Sequence, residues 1–390
     1  MSITSHYLSD GQNIKICVTC AFGVEAVTKR ELERLGITDV KAENGKIVFS
    51  GSARDLVRCN LHLRTANKVF FVLGSFPART FDQLFDGVYA LPLEDVLPAN
   101  AAFPVAGKTV KSDLFAYSAT QSVIKKAICK RLMDKKHLSD LPENGARYAI
   151  EFYLYENNCL LLLNASGDGL HKRGYRAVVG DAPLKETLAA AMLELSVWRP
   201  GKPLADLFTG SGTIPIEAAR IARNIPSGYS RRFDFEAWGE PYVSLLKEER
   251  ARAKEAILPA QDFGIYGCDI SEEQIALCRL HEKEADVSGC IRFELRDMRK
   301  FTSKEPYGVV VSNPPYGERL GKDEEVFRLM EDYGKVYAKL PDWSCYTLSA
   351  FPDFERAFGK KSDKRRKLFN GNIECTYFTM LGKKPPKPQK

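Results

Sequence analysis

The chain reads as an α/β protein: a C-terminal doubly wound sheet of mainly parallel strands, preceded by smaller α+β units. Three observations predict this. From residue 184 onward, apolar strand-like stretches alternate with helical patterns and end in an antiparallel pair, the layout of a doubly wound sheet. LADLFTGSGTIPIEAAR (204–220) is strand, glycine turn, helix, the unit that opens such a sheet. Residues 14–165 instead mix short strands and helices in a pattern that suits helices on one face of a small sheet.

In the N-terminal part, IKICVTC is an apolar strand, and GVEAVTKRELERLG is a helix closed by Gly36. GKIVFSG returns as a strand, SARDLVRCNLHL is a second helix, and KVFFVLGSF is a further strand. A second small unit covers about residues 80–165. TFDQLFDGVYAL is helical, TVKSDLFAYS suggests a strand, and ARYAIEFYLYENNCLLLLNAS reads as a hairpin turning at Asn157-Asn158. Between them, SATQSVIKKAICKRLMDKKHL is a helix. Val123, Ile124, Ala127, Ile128 and Leu132 share one side of it, and Lys125, Lys126, Lys130 and Lys136 lie mostly on the other. A buried face opposite a basic one suits a helix facing RNA, and it also describes an ordinary surface helix.

GDGLHKRGYRAVVGDAP (167–183) reads as a linker carrying His171, Lys172, Arg173, Tyr175 and Arg176. The helix PLKETLAAAMLELSVW follows. Strands are then expected at LADLF, GIYGCDI, IRFELRDM, GVVVSNPP and CYTLSAF. KRRKLFNGNIECTYFTML is expected to close as a hairpin at Asn370-Gly371.

Composition narrows the class. The chain has 390 residues and 44% hydrophobic content, enough for two or three cores. No apolar run reaches membrane-spanning length, and the start lacks a basic, then apolar, leader. Ten cysteines scattered through apolar runs suit a reducing cytoplasm. The Cys17-x-x-Cys20 pair has no second pair beside it, so it reads as core, and no metal site is expected. Net charge is +7, with +5 in residues 1–180 and +8 in residues 360–390 around an acidic centre. That distribution points to a polyanion held outside the core domain.

The glycine turn selects a cofactor class. Gly210 and Gly212 allow close approach of backbone to ligand at a helix N-terminus. The third glycine of a dinucleotide fingerprint is replaced by Pro215. The next strand-end acid, Asp269, comes far later than the ribose contact of NAD requires, after an insertion at 224–262 that contains Trp238. No G-K-[ST] follows, which excludes a Walker loop. S-adenosylmethionine fits instead. It has an amino acid end for Asp206, ribose hydroxyls for Asp269 and an adenine amino group for Asp297. Each of these acids stands at the carboxyl end of an expected strand.

The fourth strand ends in SNPPYGERLG (312–321). Proline cannot donate to a ladder, so the strand stops there. The lone pair of an exocyclic amine on a base is delocalised into the ring. A side-chain amide oxygen and a backbone carbonyl can each accept one N–H and turn the lone pair toward a methyl donor. Asn313 Oδ1 and the Pro314 carbonyl are the candidates, with Pro315 stiffening the turn and Tyr316 stacking on the base.

DLFTGSGTIPIEAA, GCDIS, LRDM and SNPPYGERLG resemble the successive motifs of class I methyltransferases acting on amino nitrogens. LHKRGYR followed by APLKETLAAAML resembles the segment before the catalytic domain in THUMP-domain RNA methyltransferases. The nearest group is the bacterial one that makes N2-methylguanosine in 23S rRNA. The resemblance runs from about residue 14 to 381 and implies the following organisation. A ferredoxin-like domain occupies residues 1–70, an RNA-gripping THUMP domain 71–165 and a linker 166–183. A Rossmann-like seven-stranded methyltransferase domain occupies 184–381, and a basic tail 382–390. It further implies cofactor contacts from Asp206, Phe208, Gly210, Ser211, Gly212, Thr213, Asp269, Ile270, Asp297, Met298 and Asn313. Catalysis falls to Asn313, Pro314, Pro315 and Tyr316, and RNA contacts to Lys125, Lys126, Lys130, His171, Lys172, Arg173 and Arg176.

Carbon-5 pyrimidine methylation is disfavoured, because the catalytic loop has no cysteine nucleophile. Transfer RNA is the alternative substrate, and a non-catalytic RNA-binding factor is the alternative role. NPPY also serves adenine-N6 and glutamine methylation, and the basic N-terminal units speak against those. The run KKSDKRRK (360–367) suits either a phosphate contact or a charged edge that resists strand pairing.

Overall fold

The structure, a computed structural model, describes residues 13–176, 184–315 and 323–384. Tyr316, residues 177–183 and the end of the tail lie outside the described residues. The chain forms two compact units. One contains residues 1–19, 32–170 and 232–252; the other contains 20–31, 171–231 and 253–390.

The first unit is built on one seven-stranded sheet. Its strands are β1 (Ile14–Cys20), β2 (Val40–Glu43), β3 (Lys46–Gly51), β4 (Ala66–Pro77), β5 (Val105–Val110), β6 (Ile150–Tyr155) and β7 (Asn158–Asn164), in the order β2-β3-β1-β4-β7-β6-β5. The two small units expected from the sequence therefore share a sheet through the twelve-residue β4, and the boundary expected at 70/71 falls inside that strand. Helices α2 (Ala53–His62), α3 (Phe81–Ala90) and α4 (Tyr117–Lys136) accompany these strands, whereas α1 (Glu25–Arg34) belongs through Glu31 to the second unit. α2 starts where Ser52 and Asp55 cap each other reciprocally.

Two local expectations are corrected. The strand expected at TVKSDLFAYS ends at Val110, because Lys111 takes a left-handed backbone and starts a loop. The hairpin turns one residue earlier than expected, at Glu156-Asn157, both with positive φ.

The core of this unit also takes in Phe233, Phe235, Trp238, Tyr242, Leu245 and Leu246 from the insertion. The Trp238 ring stacks on Tyr148 at 5.6 Å, and α7 (Tyr242–Glu255) carries Glu249, which pairs with Arg54 at 2.8 Å. Residues 232–252 thus pack with the N-terminal unit, although the sequence places them inside the C-terminal domain.

The second unit holds β8 (Leu204–Asp206), β9 (Ile265–Asp269), β10 (Ile291–Leu295), β11 (Val309–Ser312), β12 (Ser344–Ser349), β13 (Lys364–Asn370) and β14 (Ile373–Met380). The order is β10-β9-β8-β11-β12-β14-β13, parallel except for β14, which runs antiparallel to both neighbours. Helices α5 (Glu186–Leu195), α6 (Thr213–Ala222), α8 (Glu272–Glu284), α9 (Asp323–Ala338) and α10 (Phe354–Phe358) complete it. The central strands β8 and β11 are buried along their whole length, as strands covered on both faces must be. The order reverses between β8 and β11, so the carboxyl ends of these strands form the switch point where such sheets bind ligands. Among the described residues, no helix is long and apolar enough to cross a membrane.

Candidate active site

At the end of β8 the chain must turn tightly into α6. Gly210 and Gly212 both take positive φ, +49° and +86°, which favours glycine. A Cβ on Gly212 would also stand 3.1 Å from Cys278 Sγ and from the Phe293 ring. Pro215 lies in the first turn of α6, where a missing N–H costs nothing. The departure from the dinucleotide fingerprint is therefore a sound helix start.

The loop is tied to its neighbours on three sides. Gly210 N donates to Asp269 Oδ2 at 2.9 Å, and Ser271 N donates to Asp269 Oδ1 at 3.0 Å. Ser271 then caps α8 by accepting from Gln274 N. From α8, Cys278 Sγ donates to the Gly210 carbonyl at 3.1 Å, and His281 Nδ1 meets the Ser211 carbonyl at 3.1 Å. Burial pushes the Cys278 thiol up, which keeps it a donor. Neither Cys278 nor His281 was foreseen from sequence. Their three-residue spacing puts them on one helix face beneath the loop.

Asp206 is buried, and burial pushes its carboxyl up to about 7, against hydrogen bonds from the Ser312 side chain and the Phe208 amide. Ser312 also accepts from Leu207 N at 3.0 Å and so joins β11 to the end of β8. Phe208 sets its ring edge-on to Tyr333 at 5.1 Å. Ile270, one residue past Asp269, is 76% exposed on the rim, and an apolar side chain so placed can cover a flat ring. Asp297 caps a short 3-10 turn by accepting from Arg299 N and also pairs with Arg299 Nη1 at 3.0 Å, whereas Met298 is buried.

Asn313 follows β11 directly and is half-buried. Its Oδ1 is buried and has no hydrogen-bond partner among the described residues. An unpaired buried acceptor is costly and rare. Here it stands at the switch point, beside the strand that carries Asp206, followed by buried Pro314 and half-buried Pro315.

Several expected RNA contacts are corrected. Arg173 is buried against Glu217 of α6, with Nη2 at 3.3 Å from Oε2, and Tyr175 donates to the same carboxylate at 3.2 Å. Burial raises the Tyr175 hydroxyl well above its ordinary value, so it stays a donor. Arg176 pairs with Glu186 at 3.3 Å and bonds to the Thr213 hydroxyl. The described part of the expected linker is therefore a clamp on the cofactor-loop helix, built on Glu217 and Glu186, which the sequence reading missed. An acid inside the apolar stretch TIPIEAARIA was the available signal. Burial, helped by Lys185 and Arg173, lowers His171 to about 4, so it is neutral near pH 7. Lys125 is held by Glu143 at 2.6 Å and lies over the Phe103 ring at 3.5 Å. Lys126, Lys130 and Lys172 do face solvent, with Lys130 paired to Asp134 at 2.8 Å.

Among the described residues, no group of three or more His, Cys, Asp or Glu could hold a metal. The site as built fits S-adenosylmethionine: a glycine cradle, a buried acid at the first strand, a second acid at the next, and an orphaned amide oxygen at the fourth.

Comparison with known proteins gives the same answer. A family model described as an RMKL-like methyltransferase domain matches residues 173–379, an RlmL ferredoxin-like domain matches 15–70, and a THUMP domain matches 78–164. "Putative RNA methyltransferase YpsC" of Bacillus subtilis (strain 168) is 40% identical over 96% of this chain and 98% of its own length. A structure described as "SMU.472, a putative methyltransferase complexed with SAH" superposes with TM-score 0.89 at 39% identity, covering 96% of this chain and 100% of that one. A structure described as a predicted N6-adenine-specific DNA methylase from Listeria monocytogenes str. 4b F2365 gives 0.90 at 41% identity, covering 95% and 97%. With its glycine loop, strand-end acids and NPP turn in place, the chain belongs to the RMKL-like methyltransferase family, a class I fold using S-adenosylmethionine behind RlmL-type ferredoxin-like and THUMP domains.

Proposed function

We propose that the chain methylates the exocyclic N2 of a guanine in RNA, with 23S rRNA as substrate. The observation that carries this is the buried Oδ1 of Asn313 at the end of β11, which has no partner among the described residues. An acceptor left empty there is ready for an N–H that only the substrate brings. The cofactor supplies an electrophilic methyl group. Asn313 Oδ1 takes one N–H of the target amine and the Pro314 carbonyl takes the other. The nitrogen then pyramidalises, so its lone pair leaves conjugation with the ring and faces the cofactor side of the rim. The catalytic contribution is positioning, with electrostatic support as positive charge develops on nitrogen. Asp206 faces the amino end of the cofactor, Asp269 its ribose and Asp297 its adenine, with Ile270 over the base.

RNA is favoured over DNA by the THUMP and RlmL-type domains and by the YpsC name, although the Listeria relative is described for adenine in DNA. Both chemistries use an exocyclic amine. The deciding experiment digests ribosomal RNA from cells lacking the protein and maps N2-methylguanosine by mass spectrometry. Loss of one site in 23S rRNA is the expected result. An unchanged ribosomal profile with a loss in transfer RNA moves the substrate there, and N6-methyladenine loss in DNA overturns the reading.

A further inference from the structure

The second unit carries an apolar surface beside the catalytic rim, with exposed Phe22 and Ile373 around half-buried Phe369, that the cofactor and the NPP turn do not use. β12 is parallel to β11, with Ser312 opposite Thr347, and β14 is antiparallel to β12, with Ser349 opposite Thr376. The turn between β13 and β14 therefore projects past the same rim as Asn313, two strand spacings away, on the order of 10 Å. Phe369 and Ile373 flank this turn, and Phe22 lies against Phe369. Phe22 is 51% exposed and Ile373 52%.

The surface is built rather than loose. The Phe22 and Phe369 rings meet edge-on at 6.1 Å, and Lys367 Nζ stands 5.4 Å from the Phe369 centroid. Gly23 has φ +85° and approaches β13 so closely that a Cβ would lie 2.6 Å from the Lys367 carbonyl. Arg366 Nη1 donates to the Gly23 carbonyl at 3.1 Å, which locks the Phe22 turn onto the hairpin. Between hairpin and rim lies a cavity of about 300 Å3, lined by Ser349, Phe351, Arg365 and Glu374 among others.

Residues 360–374 contain six Lys/Arg against two Asp/Glu. Some of that charge is already paired: Arg365 with Glu355 and Lys367 with Glu374. The Lys367 pair is half-exposed, the kind that exchanges partners cheaply. An exposed ring such as Phe22, backed by a second ring and with cations among them, binds single-stranded nucleic acid by stacking, which every base permits, while the cations meet phosphate. The excess of positive charge favours a polyanion over an apolar protein partner.

We propose that the Phe22 turn and the β13–β14 hairpin form a stacking platform for an unpaired nucleotide that flanks the methylated one. This rests on the RNA reading above and locates where the strand runs once the target base is in place. Edge-strand charge and phosphate contact then become two uses of one basic run.

The test uses the full chain and fluorescence anisotropy with a labelled twelve-nucleotide RNA of mixed sequence, alone and annealed as a blunt duplex. The wild-type chain is expected to prefer the single strand. The double variant F22A/F369A should lose about tenfold for the single strand, with duplex binding and calorimetric SAH binding unchanged. F22L/F369L keeps apolar bulk without rings and should lose as much; it decides the question if the alanine variant fails to bind SAH. Full single-strand affinity in the leucine variant overturns the platform and leaves the RNA reading standing. Failure of the wild-type chain to bind either RNA overturns both.

Discussion

His281 Nδ1 lies 3.1 Å from the carbonyl oxygen of Ser211, and the ring is buried beneath the half-buried loop it supports. A carbonyl only accepts, so Nδ1 carries the hydrogen, and Nε2 is left buried without a partner among the described residues. Together with Cys278 on the Gly210 carbonyl, this turns two successive carbonyls toward α8. In a trans peptide the N–H points opposite the C=O, so the Ser211 amide faces away from α8. H281N places a donor where Nδ1 stands, and H281Q places one where Nε2 stands. SAH affinity by calorimetry should be kept in H281N and fall roughly fivefold in H281Q, about the value of one hydrogen bond.

Asp206 makes stability and cofactor binding depend on pH. Its folded pKa, about 7, lies above the ordinary carboxyl value because of burial. The folded state thus holds this proton more tightly than the unfolded chain. The stabilisation is fully present below about pH 4 and lost as pH rises through 7, on the order of 4 kcal/mol in the cofactor-free protein. D206N should raise the melting temperature of the free protein more at pH 8 than at pH 5. SAH carries an ammonium group across this range, so its affinity for the wild-type chain should climb from pH 5 to 7 and that of D206N should not.

Asn313→Ala should separate binding from chemistry. Its Oδ1 has no partner among the described residues to lose, so SAH affinity should stay within about threefold. Methyl transfer to RNA from cells lacking the protein should fall by roughly 100-fold or more. Full transfer by this variant would refute the acceptor role.

Arg173 and Lys172 are adjacent and should behave oppositely. R173A strands buried Glu217 and should destabilise the fold by about 3–5 kcal/mol in urea melts. K172A removes a solvent-facing cation and should cost far less in the melt than R173A while lowering the salt slope of RNA binding by about one unit.

These two residues also show what a sequence discloses. The places of Asp206, Gly210, Gly212, Asp269 and Asn313 at strand ends and a glycine turn were legible because those are local patterns, and the structure brings all five to one rim. The roles of Arg173 and Arg176 were not, because a basic run looks solvent-facing until Glu217, 44 residues on, closes over it. Lys125 misled for the same reason: helical periodicity puts it on the polar side, and Glu143 and Phe103 then claim it. β2 was overlooked although Asn44-Gly45 announces a hairpin. The docking of residues 232–252 left no local trace, since aromatic residues in an insertion fit any core.

The twelve residues of β4 carry hydrogen bonds to β1 on one side and β7 on the other. The seven strands of that sheet are thus one mechanical plate, with no hinge at the seam between its ferredoxin-like and THUMP halves. Load applied at β5 is borne as shear across the ladder to β2. A chain cut at residue 71 would leave Phe70 and Phe71 on separate pieces and open two raw edges, so the halves are expected to be expressed, folded and inherited together.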